Sequence, residues 1–185
     1  MKRTLFDLLL KFLHFSNNED NTANNDRLSK IRNIQQITCQ RFQKILIPDR
    51  DVVIDETMVP WRGRLVFRQY LLAKSHKYGV KIYKVCTPEG YTYNLIIYAG
   101  KNRYGHSYNI SMELMKGHLN EGGTPYVDNF YTSVHLVSTL LDKKTYICGT
   151  LQSNPKRIPK TVTSQKLKKK QIYVEENQEG TRVIK

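Results

Sequence analysis

Two aspartates stand where short apolar runs end. Asp55 closes Val52-Val53-Ile54, and Asp128 closes Pro125-Tyr126-Val127. A carboxylate that follows a buried strand is costly unless it is hydrogen-bonded, paired or bound to a metal. If the two strands lie side by side, both acids reach one edge of the sheet. Ligands made only of oxygen favour Mg²⁺ or Mn²⁺ over zinc at such an edge. The alternative is that both acids only cap a helix or a loop.

Between the acids runs a dense basic and aromatic segment, WRGRLVFRQYLLAKSHKYGVK. It interleaves Arg62, Arg64, Arg68, Lys74, Lys77 and Lys81 with Trp61, Phe67, Tyr70 and Tyr78. Cations of this kind meet phosphates, while the rings stack on bases or pack in a core. Further on, LQSNPKRIPK adds Lys156, Arg157 and Lys160. The run of Lys166, Lys168, Lys169 and Lys170 reads as a solvated tail. Gly122-Gly123 reads as a turn, because no phosphate-cradle pattern surrounds it. None of the five histidines stands three or four residues from another, so they read as structural or surface residues.

These residues need elements to hold them. Apolar residues from Thr4 to Phe15 recur at helical spacing, and a second periodic stretch runs from Asp26, a plausible N-cap, to Ile47, where Pro48 ends it. DVVIDE then reads as a buried strand. Residues 79–87 and 91–98 form an antiparallel hairpin about the turn Pro88-Glu89-Gly90. The spacing predicts a helix over 111–120 capped by Ser111, a strand over 124–128, a helix over 132–141 and a strand over 145–150. QIYVEE and TRVIK are two further strand-like pieces. Such an order gives a mixed α/β layout with helices covering a sheet.

Composition narrows the function. The chain has 185 residues with a net charge of +14, and 39% hydrophobic content is enough for a core. No stretch reaches the roughly 20 apolar residues of a membrane span, and LFDLLLKFLHF has no small-residue cleavage site. Cys39, Cys86 and Cys148 are too widely spaced for a metal site, so a reducing compartment and three buried thiols are expected. Residues 1–60 carry nine basic against eight acidic groups, whereas residues 61–185 carry 21 against eight. An excess concentrated in this way points to a polyanion, nucleic acid before membrane.

The strings KFLHF, DRLSKIR, IDETMVPWRGRLVFRQYLLAKSHKYGVKIYKVC, YVDNFYTSVHLVSTLL and CGTLQSNPKRIPK occur in that order over nearly the whole chain. Together they resemble the transposase domain of the piggyBac family. The resemblance implies an RNase H-like mixed sheet flanked by helices, with an N-terminal helical segment over 1–50, the catalytic core over 51–154, and a basic segment opening an insertion region over 155–185. It implies three aspartates acting with Mg²⁺ or Mn²⁺, cleavage of DNA at the ends of a mobile element, and joining of those ends to a TTAA target. The first aspartate falls on Asp55 and the second on Asp128, which would serve as both catalytic residues and metal ligands. Arg62, Arg64, Arg68, Lys74, Lys77, Lys81, Lys156 and Arg157 are the expected DNA contacts. DNA is the expected partner, with a second copy of the chain beside it, no membrane, and a nuclear location.

One departure qualifies that expectation. The family's third aspartate lies in a segment similar to WKDKR, just after the strand that TRVIK resembles, and the sequence stops at Lys185 ahead of it. No acid here sits in the matching motif. The chain therefore reads as an incomplete core, inactive alone, from a truncated or domesticated piggyBac-derived product or an incomplete gene prediction. The alternatives are a non-catalytic module that binds DNA or a partner, and a pseudogene fragment.

Overall fold

The computed structural model describes residues 1–17, 26–72, 76–100, 105–152 and 160–185. Among them, six strands form one sheet and two short strands form another. The centre of the large sheet is β1 (Asp51–Pro60), which pairs antiparallel with β3 (Tyr78–Cys86) from Val53↔Cys86 to Pro60↔Gly79. On its other side β1 runs parallel to β5 (Thr124–Val127), and β5 runs parallel to β6 (Cys148–Gly149). The far edge of β3 carries β4 (Thr92–Ile97) along one part and the two-residue β2 (Gln69–Tyr70) along another. Three antiparallel pairings beside two parallel ones give the mixed sheet that the residue pattern predicts.

Strand alternation explains the core. Val52 and Ile54 of β1 and Tyr83 and Val85 of β3 point to one face and are almost fully buried. Against them pack Ile110 and Leu114 of α3 (His106–Leu114), with Met115, Val127 and Tyr131. Leu136 and Leu140 of α4 (Val134–Asp142) are buried as well. The Ser133 hydroxyl accepts from the Leu136 amide at 3.3 Å and caps the start of α4.

Helix α2 (Ser29–Ile45) lies along the outer edge of β4. Gln35 donates to the Leu95 carbonyl at 3.1 Å, and the Tyr91 hydroxyl donates to the Phe42 carbonyl at 2.9 Å. These bonds occupy strand-edge and helix-end groups that would otherwise be open to pairing. Helix α1 (Arg3–Lys11) has no buried residue. The remaining elements are a short α5 (Lys160–Ser164) and the hairpin β7 (Val174–Glu176) with β8 (Arg182–Ile184).

Several elements differ from the sequence expectation. Helix α3 starts five residues before Ser111, after Gly105 at φ 60°, and Ser111 lies inside it with its hydroxyl donating to the Ser107 carbonyl. Asp26 does not cap α2 directly. Its carboxylate accepts from the Leu28 amide and binds Arg32 at 2.7 Å, fixing the turn that leads into the helix. Strand β1 continues to Pro60, because Glu56 to Pro60 all find partners on β3. Only Cys86 is a buried thiol, whereas Cys39 is half-buried and Cys148 on the edge strand β6 is exposed.

Candidate active site

Asp55 and Asp128 are neighbours by register. The parallel pairing of β1 with β5 runs Asp51↔Thr124, Val52↔Pro125, Val53↔Tyr126 and Ile54↔Val127, and each aspartate is the next residue on its strand. Adjacent strands lie about 4.8 Å apart, so the two carboxylates emerge at the same height. Ile54 and Val127 face the core; alternation sends Asp55 to the other face, and Asp128, one residue past the end of β5, is exposed as well.

The local bonds fix the acids rather than bury them. Asp55 Oδ1 accepts from the Glu56 amide at 2.7 Å. Asp128 ends its strand in a tight turn, where its Oδ1 accepts from the Phe130 amide at 3.0 Å and its carbonyl accepts from the Thr132 hydroxyl at 2.8 Å. Amides of Tyr131 and Thr132 approach the same carbonyl at 3.3 and 3.2 Å. Strand β6 supports this turn closely, since a Cβ placed on Gly149 would collide with Thr132 Oγ1 and lie 2.7 Å from Val127 Cγ2. A small residue at position 149 is therefore a requirement of space.

Behind the acids, Tyr131 is wholly buried, and its hydroxyl has no hydrogen-bond partner among the described residues. Its phenol is pushed far above the ordinary range, chiefly by burial and then by Glu56, Tyr83, Asp128 and Asp55. One buried hydroxyl thus feels both aspartates. Beside it, the Tyr83 hydroxyl is hydrogen-bonded to His106 Nε2 at 2.8 Å. Burial first, and Lys81 second, lower the His106 pKa and keep that imidazole neutral.

The basic and aromatic segment follows the end of β1 and includes β2 and the start of β3. Arg62, Arg64, Arg68 and Lys77 are exposed, as are Trp61, Tyr70 and Tyr78. The Tyr70 and Tyr78 rings lie 4.8 Å apart, and the Arg68 guanidinium sits 5.1 Å from the Tyr78 ring centroid. Arg68 also donates to the carbonyls of Arg62 and Gly63, each at 3.3 Å, so it braces the loop as well as charging it. Gly79 is needed here, because a Cβ would run into the Val59 carbonyl of the paired strand. Lys81 is half-buried, with Nζ 4.7 Å from the Tyr83 ring centroid and 5.1 Å from that of Phe130. Lys74, Lys156 and Arg157 lie outside the described residues.

Among the described residues, no cluster of three or more His, Cys, Asp or Glu side chains could hold a metal. What stands ready is a pair of hard oxygen donors on adjacent strand ends, a set that suits Mg²⁺ or Mn²⁺ and leaves most of the coordination sphere to other ligands. Sequence reasoning did not single out Phe130, Tyr131, Thr132 or Gly149. A Thr four residues after a strand-ending Asp was the available signal for Thr132, and nothing in the sequence marked the close approach of Gly149. No described helix is long and apolar enough to cross a membrane.

Comparison with known proteins shows the family and the fold. Residues 1–185 match the family described as Transposase IS4. The chain is 27% identical over 163 residues to the PiggyBac transposable element-derived protein 3 of Homo sapiens, covering 83% of this chain and 27% of that protein. The same identity over the same length relates it to the Chimeric ERCC6-PGBD3 protein of Homo sapiens, of which it spans 15%. The chain therefore spans about a quarter or less of the curated relatives it matches. Its fold is similar to a piggyBac transposase solved by cryo-EM as a synaptic complex with hairpin DNA, at a TM-score of 0.83 and 25% identity, covering all of this chain and 43% of that one.

Proposed function

Because the chain belongs to the Transposase IS4 family and is piggyBac-like, we propose that it carries the first two carboxylates of a metal-dependent site for DNA cleavage and strand transfer. The observation that carries this reading is the parallel register of β1 with β5, which sets Asp55 and Asp128 at one height on neighbouring segments of the chain. The substrate is DNA at the ends of a mobile element, and the acceptor is a TTAA sequence. The chain works in the nucleus, with a second copy of itself at the paired ends.

Each group then has a role. The carboxylates of Asp55 and Asp128 hold Mg²⁺ or Mn²⁺, which when bound supplies the activated water and neutralises the leaving oxygen. The Phe130 amide and the Thr132 hydroxyl hold the Asp128 turn in place. Arg62, Arg64, Lys77 and Lys81 bind backbone phosphates, and Arg68 stiffens the loop that presents the first two. Lys74, Lys156 and Arg157 bind phosphates as well. Two carboxylates bind a divalent ion weakly, so the 185 residues alone bind DNA without cutting it, and a third acid from a WKDKR-like segment completes the site.

Labelled TTAA-flanked element ends incubated with Mn²⁺ test this reading. The 185-residue chain leaves them intact, whereas a chain extended through a WKDKR-like segment nicks them, and Asp55→Asn abolishes that nicking. Nicking by the extended chain that survives both Asp55→Asn and Asp128→Asn refutes the assignment. A second reading is favoured by the two-acid site itself: a domesticated module that binds DNA or a partner without chemistry. It predicts that the extended chain also fails to cut while retaining DNA binding that weakens steeply with salt.

A further inference from the structure

We infer that Lys84 is the resident cation of the acid pair: it stands beside Asp55 and lowers the affinity of the Asp55–Asp128 site for a divalent ion. This rests on the two-carboxylate reading above and deepens it, because it names a residue that regulates ion entry at that site.

Register places Lys84. Strands β1 and β3 pair antiparallel with Asp55 directly opposite Lys84. Residues opposed in this way share a face, with Cβ atoms about 4.5–5.5 Å apart, well within the reach of a lysine side chain. Tyr83 and Val85, on either side of Lys84, are each 1% exposed in the core. Alternation therefore sends Lys84 to the face that carries Asp55. Lys81 goes the other way, because it pairs with Met58 and its Nζ lies over the Tyr83 and Phe130 rings. Asp55 thus has Lys84 across one ladder, while the other ladder brings Asp128, one residue past β5, to its height.

The surroundings direct the charge of Lys84 to that acid. Among the described residues, its neighbours on this face are Ile82 and Cys86 of β3, Val53 and Thr57 of β1, and Leu95 of β4. All five are uncharged, so Asp55 is the acid nearest to Lys84 on the sheet. Lys84 is half-buried and Asp55 is exposed, so the carboxylate is open to an ion from solvent while the ammonium is tethered beside it.

Coulomb's law then gives the sign. Two carboxylates less one ammonium leave a site of net charge about −1, and ion entry works against the like charge of Lys84. A cross-strand pair of opposite charge also steadies a sheet wherever it occurs. That structural role would alter stability and leave the ion affinity unchanged, so ion affinity is the readout that separates the two.

Mn²⁺ titration of the 185-residue chain at low salt, followed by electron paramagnetic resonance, tests the inference. Lys84→Met keeps the unbranched stem without the charge and should bind Mn²⁺ about fivefold or more tightly than wild type, the effect of one charge about 7 Å from a divalent ion near a protein surface. Lys84→Arg keeps the charge and should stay within about twofold of wild type. Lys116→Met removes an exposed lysine just past the end of α3, which packs on the opposite face, and should also stay within about twofold. The gain in Lys84→Met should shrink at about 0.5 M salt, because exposed charges are screened. Thermal melts show that each variant is folded. A folded Lys84→Met that binds Mn²⁺ no more tightly than wild type overturns the inference, and so does an equal gain in Lys116→Met. Absence of bound Mn²⁺ in both wild type and Lys84→Met overturns the two-carboxylate reading itself, so the two failures are distinguishable.

Discussion

Substituting Gly149 with alanine adds one methyl group at the contact between β6 and the Asp128 turn. The new Cβ would collide with Thr132 Oγ1 and stand 2.7 Å from Val127 Cγ2 and 3.2 Å from the Val127 carbonyl oxygen. Overpacking of this kind costs about 1–3 kcal/mol. Displacing Thr132 also strains its 2.8 Å bond to the Asp128 carbonyl, worth about 1 kcal/mol more. The sum, about 2–4 kcal/mol, lowers the Tm of a chain of this size by roughly 5–15 °C. A double-mutant cycle isolates the contact. In a Thr132→Ala background the Oγ1 collision is gone, so Gly149→Ala should cost at least about 1 kcal/mol less than in wild type. Urea melts of wild type, both single variants and the double variant give the four free energies. Effects that add within about 0.5 kcal/mol would show that Gly149 and Thr132 do not press on one another, and would refute the support assigned to the Asp128 turn.

Three further outcomes follow from separate features. Tyr91→Phe removes the hydroxyl that donates to the Phe42 carbonyl near the end of α2 and should destabilise the chain by about 1 kcal/mol in a urea melt. Burial, with Lys81 second, lowers the His106 pKa, so the unfolded chain takes up a proton more readily than the folded one. The stability that follows is present above about pH 6.5 and is lost as pH falls below it, and His106→Gln should flatten the slope of unfolding free energy on the acid side. Removing either exposed Arg62 or exposed Arg64 should reduce the slope of log affinity for duplex DNA against log salt by about 1, and equal slopes would take that residue out of the phosphate contacts.

Much of this architecture was legible because its signals are short in range. The short apolar runs at 52–54 and 125–127, each closed by an aspartate, specified two strands and their exposed ends, and the register then placed Asp55 beside Asp128. The Pro88-Glu89-Gly90 turn fixed the β3–β4 hairpin, and Gly90 adopts φ 95° there. Other features depend on partners distant in sequence. The length of β1 is set by pairing with β3, so no local pattern ends it at Pro60. Ser111 resembled a cap, but Gly105 in the left-handed region starts α3 earlier and leaves Ser111 inside a helical turn. Cys148 looked like a core thiol, but it lies on a two-residue edge strand and is exposed. The exposed Phe130 ring could not be told from a core phenylalanine until Tyr83 and Tyr131 took the interior behind it.

The central claim is that Asp55 and Asp128 act together as ligands of one divalent ion. Mn²⁺ titration followed by electron paramagnetic resonance tests it without reference to cleavage. Wild type, Asp55→Asn, Asp128→Asn and the double variant are compared, each checked for fold by its thermal melt. The geometry predicts a bound-ion signal in wild type that either single substitution removes as completely as both together, because one site needs both oxygens. An unchanged signal in either folded single variant, or losses that add independently in the double variant, would contradict the claim.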